Sequence, residues 1–397
     1  MTMALSSSFY SSLFTPTSTV TCARTTPPHT CLPSASYIPH KHSKREFPLP
    51  AVASVPYQPI NLEYLEAEFS GHGVTFEGVG DSCIAKMELK NGSIVTMMLP
   101  SGLITSYKAP MWHGGKMELL HTAVSEGESG DAIIQGGVSL NFNFQTDDDG
   151  EEISWSPSSW VLHKIKGNAK ESIRVELLNR ASDDKIGLKY IVTLEEDALS
   201  SKLEISNKKS LPLQMTGCIL SHLTVSSPEA TYAIGLLRSN YCIMPLFESE
   251  FSLSPLESGQ DSGFGKLQNL PIIKQLFQNL GTKNQSAGAG ENQRSSEEMD
   301  EEMEEEVDDY KKLSKKTSLV YTNSPRSFTV IDRGRRNSVT VGRNGFDEMY
   351  LFSPGSEVEI YSKYSYICVG QAAILKPILL GPKDVWKGGQ YIHNPNL

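Results

Sequence analysis

Short runs of alternating apolar and polar residues recur along the chain from Ser82 onward. The runs are rich in Val, Ile, Thr and Tyr and end at Gly, Asn, Asp or Pro. Because side chains of a β-strand point alternately to its two faces, this pattern predicts half-buried strands. The predicted strands are Ile84–Leu89, Ile94–Leu99, Leu103–Tyr107, Val138–Phe144, Trp160–Ile165, Ile173–Leu178, Ile186–Leu194, Lys202–Ser206, Leu319–Thr322, Ser327–Ile331, Ser338–Val341, Glu348–Phe352 and Tyr364–Val369.

The number of predicted strands and the near absence of helical periodicity indicate an all-β fold. We expect a large antiparallel β-sandwich, in which two sheets cover one core. A chain of 397 residues with 39% apolar residues can bury a core of this size. The sandwich domain is predicted to span residues 57–397.

The strand pattern stops between residues 252 and 318, which we interpret as a largely disordered insertion in the sandwich. Within the insertion, a short amphipathic helix that begins at a proline would place four apolar side chains on one face. This helix either caps an edge of its own sandwich or docks into a groove of a partner. The candidate partner-docking residues are Ile273, Leu276, Phe277 and Leu280.

An acidic run from Glu291 to Asp309 carries the excess negative charge of the chain. The run holds eleven acidic residues and one arginine, and the formal net charge of the whole chain is −10. Such a run is most often a solvated segment, with a specific electrostatic contact as the alternative. The remaining sequence has no basic patch, and nucleic-acid binding depends on clustered Lys and Arg that neutralise phosphates. We therefore expect no nucleic-acid partner.

The first 45 residues contain no Asp or Glu, are rich in Ser and Thr, and carry Arg24, Lys41, Lys44 and Arg45. This composition is typical of an organelle transit peptide, whereas a secretory signal needs an unbroken apolar stretch. The opening Met-Thr-Met-Ala-Leu-Ser-Ser-Ser favours a chloroplast over a mitochondrion. We predict a chloroplast transit peptide over residues 1–52, with a merely disordered N-terminus as the alternative.

The sequence offers no cofactor and no metal site. Cys83, Cys218, Cys242 and Cys368 are far apart and form no C-x-x-C pair, so we expect buried thiols rather than a zinc site. No phosphate-binding glycine loop or dinucleotide fingerprint is present. No window holds the roughly 18 to 20 apolar residues that a membrane-spanning helix needs. Any membrane contact is therefore expected to be peripheral, without a transmembrane helix.

Several short motifs resemble, in the same order, those of the hexose-6-phosphate mutarotases, which have the galactose-mutarotase-like supersandwich fold. The resemblance implies that fold and, for an intact member, epimerisation of a sugar phosphate. The motifs lie in residues 102–120, which end in Glu-Leu-Leu, in 133–142 with the sequence Ile-Ile-Gln-Gly-Gly-Val-Ser-Leu-Asn-Phe, and in 220–226, 234–241 and 366–390.

The catalytic positions of that family are only partly matched. Mutarotation needs a base and an acid, for which the family uses a glutamate and a histidine. His222 matches the histidine, but the glutamate position falls at Gly370 or Gln371, and neither can accept a proton as a carboxylate does. The arginine of the family's Arg-Gly-Gly motif is Gln135, its His-Gly-x-x-Arg segment is missing, and Ile243 replaces an acid. The resemblance thus implies vestigial positions and a chain that is not an enzyme.

An epimerase-like fold with degraded chemistry, a plastid address and an acidic insertion resembles the epimerase-like subunits of subcomplex B of the chloroplast NAD(P)H dehydrogenase-like (NDH) complex. That resemblance implies a non-catalytic structural subunit that supports cyclic electron flow around photosystem I to plastoquinone. It also implies other subunits of the B subcomplex and the photosystem I supercomplex as partners, and peripheral attachment on the stromal side of the thylakoid membrane. The alternatives are a stromal glucose-6-phosphate 1-epimerase and a carbohydrate-binding protein.

Overall fold

The computed structural model describes residues 61–80, 82–126, 132–148, 151–179, 185–244, 303–356 and 365–396. These residues contain one α-helix, α1 (Leu62–Phe69), and one 3₁₀ turn, Pro228–Ala230. Asn61 caps α1, because its side-chain oxygen accepts a hydrogen bond from the Tyr64 N–H at 3.1 Å. The strands are β1 (Val74–Val79), β2 (Ser82–Glu88), β3 (Ile94–Leu99), β4 (Ile104–Pro110), β5 (Lys116–Glu118), β6 (Thr122–Glu126), β7 (Ala132–Gly136), β8 (Val138–Asp148), β9 (Glu151–Trp155), β10 (Trp160–Asn168), β11 (Ser172–Asn179), β12 (Ile186–Leu194), β13 (Ala198–Asn207), β14 (Leu213–Thr224), β15 (Thr231–Ile234), β16 (Asn240–Ile243), β17 (Glu304–Glu305), β18 (Tyr310–Lys312), β19 (Thr317–Tyr321), β20 (Ser327–Asp332), β21 (Asn337–Asn344), β22 (Glu348–Ser353), β23 (Tyr366–Leu380) and β24 (Val385–His393).

The described strands form two large sheets and one ribbon. The first sheet has thirteen strands in the order β1-β2-β3-β4-β8-β14-β23-β22-β19-β16-β17, with β5 beside β4 and β9 beside β8. The second has nine strands in the order β10-β11-β12-β13-β24-β21-β20-β15-β18, and β6 pairs with β7 in the ribbon. Neighbouring strands are antiparallel, as in the central pair β14 and β23. This topology confirms the predicted all-β fold.

The alternation in the sequence explains how the sheets pack. In β2, Cys83, Ala85 and Met87 are fully buried, whereas the residues between them are half-buried. The same alternation in β3 buries Val95 and Met97. These side chains belong to one hydrophobic core, and each buried aliphatic side chain contributes about 1.5–3 kcal/mol.

The central strands of the thirteen-stranded sheet are buried on both faces. In β23, Ile367 and Val369 belong to the main core, whereas Tyr366 and Cys368 belong to a second apolar cluster. Because neighbouring residues of a strand point to opposite faces, the second cluster covers the outer face of the sheet. This outer cluster comprises Cys218, Leu220, Met244, Val320, Tyr350, Phe352, Tyr366, Cys368 and Ala372.

The predicted strands appear in the structure with small shifts at their ends. The strand expected over Tyr364–Val369 is longer than predicted, because β23 continues to Leu380. The sequence pattern missed β1, β5, β6, β7, β9, β14 to β18 and β24, most of which have five residues or fewer. A run that short gives too few positions to show alternation. The longer β14 was missed because its middle is buried on both faces and does not alternate.

Three predicted features lie wholly or partly outside the described residues. The predicted transit peptide, 1–52, is outside them, and so are residues 252–302 of the predicted insertion. The candidate docking residues Ile273, Leu276, Phe277 and Leu280 fall within that outside part of the insertion.

The remaining part of the predicted insertion, residues 303–318, is ordered, so the expectation of disorder is wrong for this part. Its strand β17 pairs with β16 of the thirteen-stranded sheet, and its strand β18 pairs with β15 of the nine-stranded sheet. The end of the acidic run therefore links one edge of each sheet. These residues form strands rather than a solvated segment because Glu306, which is only 3% exposed, is buried and holds the segment in place.

Candidate functional site

His222, at the family's histidine position, lies in β14 where three segments of the chain meet. The His121 N–H donates to the His222 carbonyl at 2.9 Å, and the His222 N–H donates to the Gly137 carbonyl at 2.8 Å. The Gly137 N–H donates in turn to the His121 carbonyl at 2.7 Å. This ring of backbone hydrogen bonds fixes the three segments beside one another.

The Gly-Gly pair of the motif is required by close backbone packing. Gly136 and Gly137 have φ angles of 95° and 64°, in the region that favours glycine. A Cβ atom at Gly137 would lie 2.0 Å from the Ile104 carbonyl oxygen. Gln135 precedes the pair and is half-buried on β7, opposite Ala123 of β6. The glycines thus have a structural role whichever residue stands at position 135.

Two histidine rings pack against one tyrosine ring at this junction. The His121 ring stacks on Tyr366 with centroids 4.9 Å apart and planes 13° apart, and the His222 ring lies 5.6 Å from Tyr366 at 44°. The motif comparison identified His222 but missed His121 and Tyr366 as a group with it. Their places in the sequence could have pointed to them, because His121 directly follows the Glu-Leu-Leu motif and Tyr366 is the first residue of the last motif.

Both histidine rings are neutral at physiological pH. Burial, and then the neighbouring His121, lowers the pKa of His222 to about 4 from an ordinary 6.5. Burial also lowers the pKa of His121. His222 Nδ1 and His121 Nε2 are buried and have no hydrogen-bond partner within the described part of the chain. The pair could accept a proton, but no described carboxylate is hydrogen-bonded to either ring.

Gly370 and Gln371 point to opposite faces of the thirteen-stranded sheet. Gly370 pairs with Leu220 of β14, and His222 pairs with Cys368, so Gly370 and His222 share the outer face. A Cβ atom at Gly370 would lie 3.3 Å from Tyr350 Cβ and 3.4 Å from Leu220 Cδ1. The space beside Gly370 is therefore already filled by the outer cluster.

Gln371 faces the inner core, where β23 lies over the other sheet. It is 1% exposed, and its Oε1 atom has no hydrogen-bond partner among the described residues. On the same inner face of β14, Ser221 Oγ accepts a hydrogen bond from Gln390 Nε2 of β24 at 2.6 Å. Polar side chains thus join the two sheets behind the candidate site. Such buried polar contacts constrain how the sheets are aligned.

Glu348 of β22 also lies on the outer face, but it is committed to backbone contacts. Its carboxylate accepts hydrogen bonds from the N–H groups of Ile374, Leu375 and Lys376 at 2.6, 2.9 and 2.6 Å. Burial raises the pKa of Glu348 above its ordinary value, although these donors stabilise the charged form. Glu348 pairs with Ala372, four residues along β23 from the partner of His222. Four residues of strand span about 13 Å, so Glu348 does not reach the His222 ring.

A cavity of about 490 Å³ opens beside Glu348 at one end of the outer face. Arg343 lines it and is 5% exposed, and its guanidinium donates to the carbonyls of Ser324, Pro325, Phe346 and Asp347. Burial lowers the pKa of Arg343 to about 10, which still leaves the side chain charged. Because carbonyl groups take up most of its donors, Arg343 mainly holds the surrounding loops in place.

The Glu-Leu-Leu motif also has a structural role. The Glu118 carboxylate accepts hydrogen bonds from the Ser106 hydroxyl, from the Tyr107 N–H at 2.8 Å and from the Leu120 N–H at 3.1 Å. Arg335 donates to the Glu118 carbonyl at 3.1 Å. These contacts hold the segment that leads into His121.

Cys83, Cys218, Cys242 and Cys368 are all buried, as the sequence pattern predicted. Burial raises the pKa of Cys83 and of Cys368, so both remain thiols. Within the residues that the structure describes, no group of three or more His, Cys, Asp or Glu side chains is placed to hold a metal ion.

None of the helices in the described ranges is long and apolar enough to span a bilayer.

The comparison with known proteins yields one sequence relative and several structural neighbours. No protein-family model matches the chain. The chain is 43% identical over 366 residues to the Arabidopsis thaliana protein NDH-dependent cyclic electron flow 5, a match that covers 90% of each chain.

The structural neighbours are more distant in sequence and show the fold alone. The chain resembles a Salmonella typhimurium mutarotase homologue, YeaD, with a TM-score of 0.50 and 11% identity, over 81% of this chain and 92% of the other. It resembles the protein HI1317 with a TM-score of 0.50 and 11% identity, over 82% and 97% of the two chains. These likenesses confirm the predicted mutarotase-like sandwich. On the sequence match, the chain belongs to the family of NDH-dependent cyclic electron flow 5.

Proposed function

We propose that the chain is a non-catalytic structural subunit of the chloroplast NDH complex, and that it supports cyclic electron flow around photosystem I to plastoquinone. The observation that carries this proposal is the 43% identity to NDH-dependent cyclic electron flow 5 across 90% of both chains. A match of that length concerns the sandwich as a whole rather than one shared motif.

The geometry of the outer face supports the absence of epimerase chemistry. His222 is half-buried with a neutral ring, and Gly370 stands on the same face without a side chain. Tyr350 and Leu220 pack against Gly370, so a glutamate there would have to displace them. Among the described residues, this arrangement supports a junction at His222 that has no proton shuttle between two positioned groups.

We further propose that the chain is imported into chloroplasts and attaches peripherally to the stromal side of the thylakoid membrane. Its partners there would be other subunits of the B subcomplex and the photosystem I supercomplex. The acid-free, Ser- and Thr-rich composition of the first 45 residues supports the import step. The relative's name supports the membership of an NDH-dependent pathway.

A plant that lacks the chain tests the proposal. Chlorophyll fluorescence rises transiently after illumination when stromal reductant reduces plastoquinone in the dark, and we expect this rise to be lost without the chain. Expression of the wild-type chain should restore it, and so should His222→Asn expressed to the same level, because the proposal assigns no proton transfer to His222. An unchanged rise in the plant that lacks the chain would refute the role in cyclic electron flow.

The epimerase and carbohydrate-binding alternatives are tested on the purified chain. NMR exchange spectroscopy measures the anomer interconversion of glucose-6-phosphate, and calorimetry measures hexose and hexose-phosphate binding. We expect the rate without protein in the first assay and no heat of binding in the second. Acceleration that His222→Asn abolishes would establish the epimerase instead.

A further inference from the structure

Large apolar side chains are exposed in two neighbouring segments at one edge of the sandwich. Of the twelve such side chains among the described residues, five lie in 237–243 and 303–310. They are between 43% and 79% exposed, and we call them the edge patch: Leu237, Ile243, Met303, Val307 and Tyr310. A concentration of this kind is typical of an interaction surface, whereas single exposed apolar residues are ordinary.

Backbone hydrogen bonds hold the two segments of the edge patch together. The Arg238 N–H donates to the Glu306 carbonyl at 2.8 Å, and the Glu306 N–H donates to the Ser239 carbonyl at 2.9 Å. Met303 Sδ lies 3.2 Å from Cys242 Sγ. Ser239 is 1% exposed, and its Oγ atom has no hydrogen-bond partner in the described segments. The two segments are thus held together, and their apolar side chains are exposed on ordered backbone.

Both sheets of the described structure end beside the edge patch. The strand β17 (Glu304–Glu305) is the last strand of the thirteen-stranded sheet, and β18 (Tyr310–Lys312) is the last strand of the nine-stranded sheet. The outer edges of both strands have no pairing strand within the described ranges. Unpaired backbone groups at a sheet edge can hydrogen-bond to an extended segment of another chain.

The charges around the edge patch indicate what kind of segment fits it. Four carboxylates on 303–310 are exposed, whereas the exposed cation of the two segments is Arg238. The exposed Lys312, Lys315 and Lys316 follow the second segment. Lys311 adds no free charge, because its ammonium group is paired with the buried Glu306 carboxylate. The exposed carboxylates are Glu304, Glu305, Asp308 and Asp309. A surface that is apolar and acidic is complementary to a segment that is apolar and basic.

We propose that the edge patch docks a basic segment of a neighbouring subunit, in which Lys or Arg alternates with apolar residues. This inference rests on the proposed function and names the surface through which the chain enters its complex. The apolar side chains of the partner would cover Val307 and Met303, and its cations would face the carboxylates beside them.

A photo-cross-linking residue at Val307 of the full chain tests the occupant directly. The variant is expressed in a plant that lacks the chain, and its thylakoids are irradiated. We expect a cross-link to a segment of another subunit that carries net positive charge, whereas the same residue at Val385, which is 60% exposed on β24, should not cross-link to that segment. A cross-link within the chain itself, to a second copy or to an acidic segment would overturn the proposal, and so would no cross-link at all.

Charge reversal gives a second readout with a matched control. Glu305→Lys, Asp308→Lys and Asp309→Lys together should lower incorporation of the chain into the complex by about tenfold or more, because like charges would then face each other. The control reverses three exposed carboxylates of α1 with Glu63→Lys, Glu66→Lys and Glu68→Lys, and should leave incorporation unchanged.

The outcomes of charge reversal separate the two proposals. If the wild-type chain enters the complex and the edge variant enters it equally well, the docking surface is wrong while the proposed function stands. If the wild-type chain enters no complex, both are wrong. Equal urea midpoints of the two triple variants would show that a loss of incorporation does not come from unfolding.

Discussion

Removal of the Glu306 carboxylate is expected to destabilise the sandwich, although Glu306 belongs to an acidic run. Glu306 is 3% exposed, Tyr321 donates its hydroxyl to the carboxylate at 2.8 Å, and the Lys311 ammonium group is paired with the same oxygen. Lys311 also lies over the Tyr241 ring, 5.2 Å from its centroid. Glu306→Ala would leave the buried Tyr321 hydroxyl without this acceptor and Lys311 without a counter-charge.

The size of the expected loss of stability depends on the burial of the two donors, Tyr321 and Lys311. Breaking a fully buried ion pair by removing one partner costs about 3–5 kcal/mol. The Lys311 side chain is 16% exposed and therefore partly hydrated, so we expect a loss of about 2–4 kcal/mol for Glu306→Ala. Glu306→Gln keeps an acceptor for Tyr321 and should cost about half as much.

Urea unfolding of the full chain, followed by tryptophan fluorescence, measures this loss as a shift of the midpoint at constant slope. The matched control is Glu305→Ala, which removes an exposed neighbouring carboxylate and should change stability by less than about 0.5 kcal/mol. Equal midpoints for Glu306→Ala and Glu305→Ala would refute the reasoning, because the end of the acidic run would then behave as a solvated segment.

Three further predictions concern the junction and the core. The pKa of His222 is about 4 in the folded chain and 6.5 ordinarily, so the unfolded chain binds more protons between these values. Stability should therefore fall by up to about 3 kcal/mol as the pH drops from 6.5 towards 4, and urea midpoints of His222→Asn should fall less. Gly137→Ala, whose Cβ would meet the Ile104 carbonyl at 2.0 Å, should prevent folding or lower the melting temperature far more than Gly80→Ala, which has a similar φ and open space. Phe346→Ala should cost about 3–5 kcal/mol in urea unfolding, because its fully buried ring packs on neighbouring aromatic rings and would leave a cavity.

Strands such as β2 and β3 could be predicted from the sequence because their two faces differ in environment. β2 and β3 bury every second residue, so alternation is visible without knowledge of the fold. The two-residue strand β17 has no such pattern, and its place in the sheet depends on pairing with β16. The burial of Glu306 has the same origin, since Tyr321 and Lys311 surround it only after both sheets have formed.

The sequence located the family's glutamate position only to within one residue. The motif comparison left the glutamate position at Gly370 or Gln371, and a shift of one residue moves a side chain to the other face of a sheet. The pairing of Leu220 with Gly370 places Gly370 on the outer face with His222. The packing of His121 and His222 on Tyr366 could not be predicted either, because the three residues lie in segments that are far apart in the sequence.

We propose that the chain is a structural subunit of the chloroplast NDH complex. The most direct test of this proposal is a native gel of gently solubilised thylakoid membranes, probed for this chain and for an established NDH subunit. We expect both in one band far larger than a single chain, and we expect this band to be lost or shifted in plants that lack the chain. Migration of the chain as a free monomer, with the NDH band unchanged in its absence, would show that the chain is not a subunit of the complex.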